Sequence, residues 1–436
     1  MKKIDFNKVI SKIDSYEFMC YPPHYPNLES WPSANEKNLS IFKNTIKKNL
    51  NTINKRKIGI YINMPFCASK CSFCYLNVYR YAQSDLVKKY VAGLKKEMSF
   101  YSKLGFYKNK ISSIYISGGT ASILNVNYLK EIFEKLRENF NFDDKTQFTI
   151  ETSTDFIDAD KIALFKEYGV NFLMIGIQSF NQKSIKSFNR AQNVDLIRNK
   201  INLLKKNDIK FNIDLICGLD TLDEREFISQ VKEALSLAPN IIHLNKFKPT
   251  ESLKHKKRIE KLQSIGLKYL SSKGYKILDE ESAVLGDFSG NMQGNINFLV
   301  SSDILALGPG SMGHINSMFR YYNHFDIEKY YKLLSENIFP IEKLIKLSYK
   351  DEVDFYILVN IFNAGVNLNQ ANAIFDKMGI IYLKEKLEKL IRYGLVEKKG
   401  GFYKAMGDEW FLISKNIYNL KYMRALAKRY GFWTKK

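Results

Sequence analysis

The chain has 436 residues, too many for one small core and a length that suits two or three domains. It is 45% hydrophobic and 14% aromatic, enough to bury a sizeable core, which argues against disorder outside the ends. Its net charge of +22 would suit nucleic acid or an anionic substrate, but the lysines fall on solvated helical stretches such as "KKYVAGLKKE" and "LKHKKRIEKL", and the absence of a basic block argues against a nucleic-acid partner.

Residues 1–56 read as an N-terminal arm. They show no apolar core of a secretory signal. The proline- and aromatic-rich piece "FMCYPPHYPNLESWP" is expected to form an extended strap, packed on the following domain or laid over a site. No run in the chain is long and apolar enough to span a membrane. Five cysteines, three of them crowded together, argue against a disulfide framework and for a reducing, cytoplasmic setting.

A strand–helix rhythm begins at Lys57. Short apolar runs predict strands at 57–63, 111–119, 147–153, 172–179, 211–219 and 240–248. Helical spacing fills the intervals at 85–104, 128–139, 160–168, 181–188, 194–206 and 224–237. This alternation predicts an α/β fold with a parallel sheet and right-handed crossovers. Polar or cysteine residues stand at or just after the strand ends: Cys67 to Cys74, Gly118 to Thr120, Glu151, Gln178 and Asp214. That is the end at which a parallel α/β barrel assembles its active site. Six units instead of eight predict an incomplete, TIM-like (β/α)6 barrel. No Gly-x-Gly-x-x-Gly follows the first strand, which disfavours a dinucleotide fold.

The barrel and its extension are expected to fill 57–345, with "LGPGSMGH" (307–314) as plain turns. Residues 346–436 read as a separate helical domain. "KDEVDFYILVNIF" and "IIYLKEKLEKLIRYGLV" have helical spacing, and Gly400–Gly401 marks a hairpin, so the unit is winged-helix-like.

Cys67, Cys71 and Cys74 follow the first strand with Cys-x3-Cys-x2-Cys spacing. Their polar neighbours Ser69, Lys70 and Ser72 speak against core packing. Thiolates suit zinc or an iron–sulfur cluster. A closed zinc site wants a fourth ligand, and no histidine lies between His24 and His243, while Cys20 and Cys217 are remote. In a [4Fe–4S] cluster, which takes four ligands, three cysteines leave one iron open.

The spacing Cys-x3-Cys-x-Phe-Cys resembles the cluster motif of radical S-adenosylmethionine (SAM) enzymes. "YINMPFCASKCSFC" is similar to the opening of the HemN-like branch, which contains oxygen-independent coproporphyrinogen III oxidases. The resemblance continues in order through "SGGTAS", "IETSTD", "GIQSF", "FNRAQ", "IDLICGL" and "LGPGSMG", and the C-terminal part resembles the branch's helical lid. It covers about residues 57–415.

This resemblance implies a [4Fe–4S] cluster on Cys67, Cys71 and Cys74. The open iron would be chelated by the amino and carboxylate groups of SAM. Reductive cleavage to a 5′-deoxyadenosyl radical and hydrogen abstraction would follow. It implies SAM contacts from Tyr61, Phe73, Gly118, Gly119, Thr120 and Glu151, and places Gln178, Arg190 and Asp214 around a second SAM, so one or two molecules are expected. It also implies an electron donor such as flavodoxin or ferredoxin, and a small-molecule substrate, a tetrapyrrole or another planar, carboxylate-bearing compound. No residue stands out as a catalytic acid or base.

The chain departs from the oxidase pattern at Asn63, where the branch carries histidine, at Ala121 for proline, and at Leu76, where the oxidases carry a fourth cysteine. Tyr21–Pro22 survives from the oxidases' N-terminal stretch without its arginine. A HemN-like methyltransferase or cyclopropanase that uses two SAM molecules is a second expectation. A haem chaperone is a third, although its usual His-Asn-x-x-Tyr-Trp segment is replaced by "SGNMQGNIN".

Overall fold

The computed structural model describes residues 28, 31–74, 76–82, 84–219, 222–247, 253–278, 281–286, 302–361 and 365–406. Most of the expected strap with Cys20, Tyr21 and Pro22, the "SGNMQGNIN" segment and all positions after Met406 lie outside these residues.

The arm's basic end is a helix, α1 (Glu36–Ile53), closed by a capping box between Asn35 and Asn38. Its apolar stripe of Leu39, Phe42, Ile46 and Ile53 is buried, so its lysines are left to the solvent face.

All six expected strands form: β1 (Lys57–Met64), β2 (Ile111–Gly118), β3 (Gln147–Thr152), β4 (Phe172–Gln178), β5 (Lys210–Cys217) and β6 (Ile241–Lys246). They pair in parallel and in chain order. The crossovers carry α2 (Asp85–Leu104), α3 (Val126–Asn139), α4 (Ala159–Tyr168), α5 (Gln182–Ser187), α6 (Ile197–Lys206) and α7 (Glu224–Ser236). Alternate strand residues such as Ile60, Ile62, Ile114, Ile116, Ile150, Ile175 and Leu215 are buried in one core with Val91 and Leu94 of α2 and Leu129 and Phe133 of α3. The residues between them form the inner face, and the register lines up Tyr61 with Tyr115, Glu151 with Met174, and Asp214 with His243.

The sheet extends beyond the six expected strands. After α8 (Leu253–Ser272), β7 (Tyr275–Ile277) and β8 (Ser282–Leu285) add antiparallel strands outside β6. At the other edge β9 (Ser302–Leu307) pairs in parallel with β1, from Lys57↔Ser302 to Ile62↔Leu307. Antiparallel β10 (Met312–Ile315), β11 (Phe319–Asn323) and β12 (Ile341–Lys346) complete a 12-stranded sheet, with α9 (Ile327–Ser335) between the last two. The turn expectation for "LGPGSMGH" therefore holds only for Gly308–Ser311, because Met312 already begins β10.

Beyond the sheet come α10 (Tyr349–Asn360), β13 (Val366–Asn367), α11 (Leu368–Ile374), α12 (Lys377–Arg392), β14 (Val396–Lys399) and β15 (Phe402–Ala405). The last two pair across Gly400–Gly401, whose φ values of +58° and +83° suit glycine. This helical unit with its small three-stranded sheet is tied to the large one. Glu352 of α10 is buried against His314 of β10, with Nε2 and Oε1 2.9 Å apart, and accepts from the Ser317 N–H at 2.8 Å.

The ends of β1 and β2 approach too closely for side chains. The Gly119 N–H donates to the Met64 carbonyl (2.8 Å) and the Thr120 N–H to the Phe66 carbonyl (2.7 Å). A Cβ at Gly119 would collide with the Phe66 backbone, and one at Gly118, where φ is +109°, with the Asn63 side chain. The turn after β9 closes on the same point. A Cβ at Gly308 would stand 2.5 Å from the Asn63 carbonyl oxygen, and Asn63 Nδ2 donates to the Pro309 carbonyl at 2.6 Å.

Behind that turn lies Glu97 of α2, fully buried. It accepts from the Gly308 N–H (2.8 Å), Asn323 Nδ2 (2.6 Å) and the Tyr330 hydroxyl (2.6 Å), so one carboxyl ties α2, the turn, β11 and α9 together. Burial pushes this carboxyl up to about 7, against the opposing pull of those three bonds.

Two predictions follow from this packing. Gly119→Ala should lower stability by about 2 kcal/mol or more, because only backbone could move aside. Gly394→Ala, with φ +66° and open space around it, should cost about 1 kcal/mol from strain alone. Urea midpoints in the reverse order would refute the close-approach account. For Glu97, the folded value of about 7 lies above the ordinary 4.5. The stability contributed by its neutral form is therefore full below about 4.5 and is lost as pH rises through about 7. In Glu97→Gln, stability measured by urea titration at stepped pH should fall less steeply across this window, by up to about 1.4 kcal/mol per pH unit. An unchanged slope would show that Glu97 does not take up the proton.

Candidate functional site

The cysteine loop leaves β1 at its C-terminal end and is held along its length. Phe66–Cys67 pairs in parallel with Tyr79–Arg80, and the Tyr81 N–H donates to the Cys67 carbonyl at 2.8 Å. The far side of the loop lies on the segment Phe188–Arg190. The Ser72 N–H donates to the Phe188 carbonyl (3.0 Å), Ser69 Oγ to the Asn189 carbonyl (2.8 Å), and Asn189 Nδ2 to the Lys70 carbonyl (3.0 Å). Asn189 has φ +54°, a left-handed conformation that asparagine tolerates better than most residues. Phe73 packs against Phe188 with ring centroids 6.0 Å apart.

The three thiols are free and partly exposed. Arg190 directs one guanidinium nitrogen at Cys71 Sγ (3.8 Å), while its Nε donates to Gln192 Oε1 (2.8 Å) and its other nitrogen to the Gly176 carbonyl. Thr120 Oγ1 lies 3.6 Å from Cys67 Sγ. Burial pushes the Cys67 and Cys74 thiols up, and the neighbouring thiols push the same way, while Arg190 draws both down. Among the described residues no three His, Cys, Asp or Glu side chains converge as the ligands of a single ion would. What does fit is the donor chemistry of a thiolate-held cluster: three soft sulfurs on one loop, backed by a cation.

The inner face carries the remaining residues. Tyr61 lies against Tyr115, with centroids 5.9 Å apart, and its hydroxyl reaches Asn63 Oδ1 at 3.4 Å. The Tyr115 hydroxyl donates to Glu151 in a short hydrogen bond and lies 3.4 Å from Met174 Sδ. Burial pushes Glu151 up to about 7; the bonds from Tyr115 and Ser117 pull it down, and the charge of Asp214 adds to the rise. Asp214 Oδ1 meets His243 Nδ1 at 2.9 Å and accepts from Asn212 Nδ2 at 2.7 Å. Gln178, at the end of β4, has φ +68°, and its Oε1 is buried without a hydrogen-bond partner among the described residues. A strained residue with an orphaned acceptor is what a bound donor group would satisfy.

The structure thus brings Cys67, Cys71, Cys74, Phe73, Thr120 and Arg190 into one assembly, and Tyr61, Glu151 and Asp214 onto one inner face. Gly118 and Gly119 join the two. Gln178 sits beside Gly176 and Arg190, where a Cβ at Gly176 would stand 2.6 Å from Gln178 Nε2. Arg190 is engaged with Gln192, Gly176 and Cys71, so it is not the free bidentate carboxylate clamp that its type suggests. Sequence reading missed Tyr115, Asn212 and His243. The alternation of Asn212 with Asp214, read in register with the next strand, would have found the last two.

Comparison with known proteins agrees with this geometry. Residues 61–234 match the model of the Radical SAM superfamily. The chain is 25% identical over 374 residues to the heme chaperone HemW of Buchnera aphidicola subsp. Schizaphis graminum, covering 79% of this chain and 93% of that protein. It is 26% identical over 359 residues to the oxygen-independent coproporphyrinogen III oxidase of Synechocystis sp., covering 76% of each. The solved structure of coproporphyrinogen III oxidase (HemN) from Escherichia coli shares the fold, with a TM-score of 0.74 at 21% identity over 98% of this chain and 99% of that one. An oxidase and a chaperone occur at similar identity, so these likenesses carry the fold rather than the reaction. Residues 61–234 carry a Radical SAM domain, and the chain is similar in sequence and in fold to proteins of the HemN-like branch.

Proposed function

We propose that the chain is an oxygen-sensitive, cytoplasmic radical SAM enzyme that acts on a tetrapyrrole or another planar, carboxylate-bearing molecule, in the manner of the coproporphyrinogen III oxidases. The observation that carries this reading is the cysteine loop: three free thiols held against the Phe188–Arg190 segment, beside the polar inner face of a parallel sheet. Cys67, Cys71 and Cys74 would hold a [4Fe–4S] cluster with one open iron for the amino and carboxylate groups of SAM. Loaded, that cluster supplies the electron that cleaves SAM and so provides hydrogen-abstracting chemistry.

The chain's own residues orient and shield. Gly118 and Gly119 let the ends of β1 and β2 close on each other beside the cysteine loop, since a Cβ would collide with Asn63 or the Phe66 backbone. Thr120 and Phe73 hold the cysteine loop in place. Tyr61 and Tyr115 wall the inner face, and Glu151, protonated below about 7, can donate a hydrogen bond as well as accept one. Asp214 offers an acceptor to hydroxyl or ammonium groups, and Gln178 Oε1 a second. Arg190 offsets negative charge at the thiolates. A flavodoxin or ferredoxin would deliver the electron.

A chaperone reading is favoured by one observation, the match to 93% of the length of a heme chaperone. The methyltransferase reading draws on Gln178, Arg190 and Asp214 as surroundings for a second SAM. Product analysis separates them. With reductant and SAM, a decarboxylated porphyrinogen supports the oxidase, S-adenosylhomocysteine with a methylated product the methyltransferase, and haem binding without SAM turnover the chaperone.

The family-level prediction concerns the cluster. Anaerobically reconstituted wild-type protein should show [4Fe–4S] absorbance and cleave SAM to methionine and 5′-deoxyadenosine. Cys71→Ala should drop to the protein-free control in both. A variant that kept a normal cluster and SAM cleavage would sink the assignment.

A further inference from the structure

His243 lies outside every motif that carries the family resemblance, yet it stands on the inner face, on the last of the six parallel strands. Strands β5 and β6 are in register, so Asp214 and His243 are direct neighbours. His243 Nδ1 stands 2.9 Å from Asp214 Oδ1 and 3.2 Å from Asn212 Nδ2. The orientation of Asn212 is fixed from outside the pair. Its Oδ1 accepts from the Ile175 N–H at 2.8 Å, so its Nδ2 faces Asp214 as a donor, and its 3.2 Å approach to His243 Nδ1 is not a hydrogen bond when Nδ1 carries a hydrogen. Asn212 Nδ2 donates to Asp214 Oδ1 at 2.7 Å. A short contact between imidazole nitrogen and carboxylate then requires the hydrogen on Nδ1, which assigns the tautomer.

Two hydrogen-bond donors therefore end on the same Asp214 oxygen. Across the face, the other carboxyl, Glu151, meets no such pair of nitrogen donors; its partners are the Tyr115 hydroxyl, Ser117 and the Gly118 backbone. Two carboxylates on one face cannot both ionise cheaply. Burial raises Glu151 to about 7, and the Asp214 carboxylate adds to the rise. Asp214 is left with Oδ2 for a ligand.

We propose that His243 is a positioning residue for ligand binding: its Nδ1–H and the Asn212 amide fix the Asp214 carboxyl as an acceptor on the inner face, ready for a hydroxyl or ammonium group of SAM. The proposal rests on the reading above that SAM reaches Asp214. It differs from that reading in what it asks of the chain, namely that a histidine outside the cysteine loop sets SAM affinity through a carboxylate.

Equilibrium dialysis of SAM against the reconstituted protein tests it. His243→Leu should weaken binding about tenfold at the affected site, the loss expected for a hydrogen bond to a charged group. His243→Gln, which keeps a donor, should recover most of it. In an Asp214→Asn background, His243→Leu should add nothing, since the histidine acts through Asp214. Wild-type affinity in His243→Leu, or a full additional loss on top of Asp214→Asn, would overturn the proposal.

The functional reading fails in a different way, by the wild-type protein binding no SAM. The pair is then decided by ¹⁵N-histidine NMR above the ordinary histidine titration range. Nδ1–H in the wild type, shifting toward Nε2–H in Asp214→Asn, supports it. The same tautomer in both proteins overturns it.

Discussion

Everything at the site depends on a backbone contact too close for side chains. Where β1 and β2 end, Gly119 and Thr120 donate to the Met64 and Phe66 carbonyls, and Cys67 is the next residue on. The first thiol is therefore placed by main-chain bonds between two core strands, which cannot change rotamer. The turn at Gly308 presses on Asn63 from the third side, and Glu97 holds that turn from behind through a buried bond at 2.8 Å. A carboxyl with no solvent exposure is costly to bury. Three donors satisfy it, and what they fix is the wall behind Tyr61 and Asn63.

The second constraint is the seat of the cysteine loop on Phe188–Arg190. The left-handed Asn189 both donates to and accepts from that loop, so its strain is repaid by two hydrogen bonds. Burial and mutual repulsion hold Cys67 and Cys74 protonated in the absence of a cation. Metal loading must displace those protons, so assembly couples to pH and to the charge that Arg190 contributes. The loop is thus built first for position and acquires its charge with the metal.

The six parallel strands and the cysteine loop were legible because their signals are local: a short apolar run, a cysteine spacing, a polar residue at a strand end. Gly118, Gly119 and Glu151 fell at the strand ends where they were expected, whereas Asp214 lies inside β5, three residues before its end at Cys217. The flanking strands were not legible. β9 is six residues long, and its identity as a parallel strand comes from pairing with Lys57–Ile62, some 240 positions earlier. His243 and Tyr115 carry no motif, and their meaning arises only when register sets them beside Asp214 and Glu151. Two of the departures from the oxidase pattern also resolve differently. Asn63 is absorbed into the strand-end contact by its bond to Pro309, whereas Leu76 lies exposed beside the loop and holds no thiol's place.

The charge balance of the inner face bears on what it can hold. The surplus of +22 resides in the chain as a whole, but the charged groups named on this face are Glu151 and Asp214, with Arg190 committed toward the thiols. A face lined by carboxyl groups attracts a cation and repels another carboxylate at short range. SAM carries an ammonium and a sulfonium against one carboxylate, so its cationic part suits this face better than an anionic substrate does. The carboxylates of a tetrapyrrole would have to be met elsewhere, by basic residues outside the Tyr61–Asp214–His243 face. A substrate recognised at its rim and a cofactor recognised in the interior would then be read by groups of opposite sign, which keeps each out of the other's place.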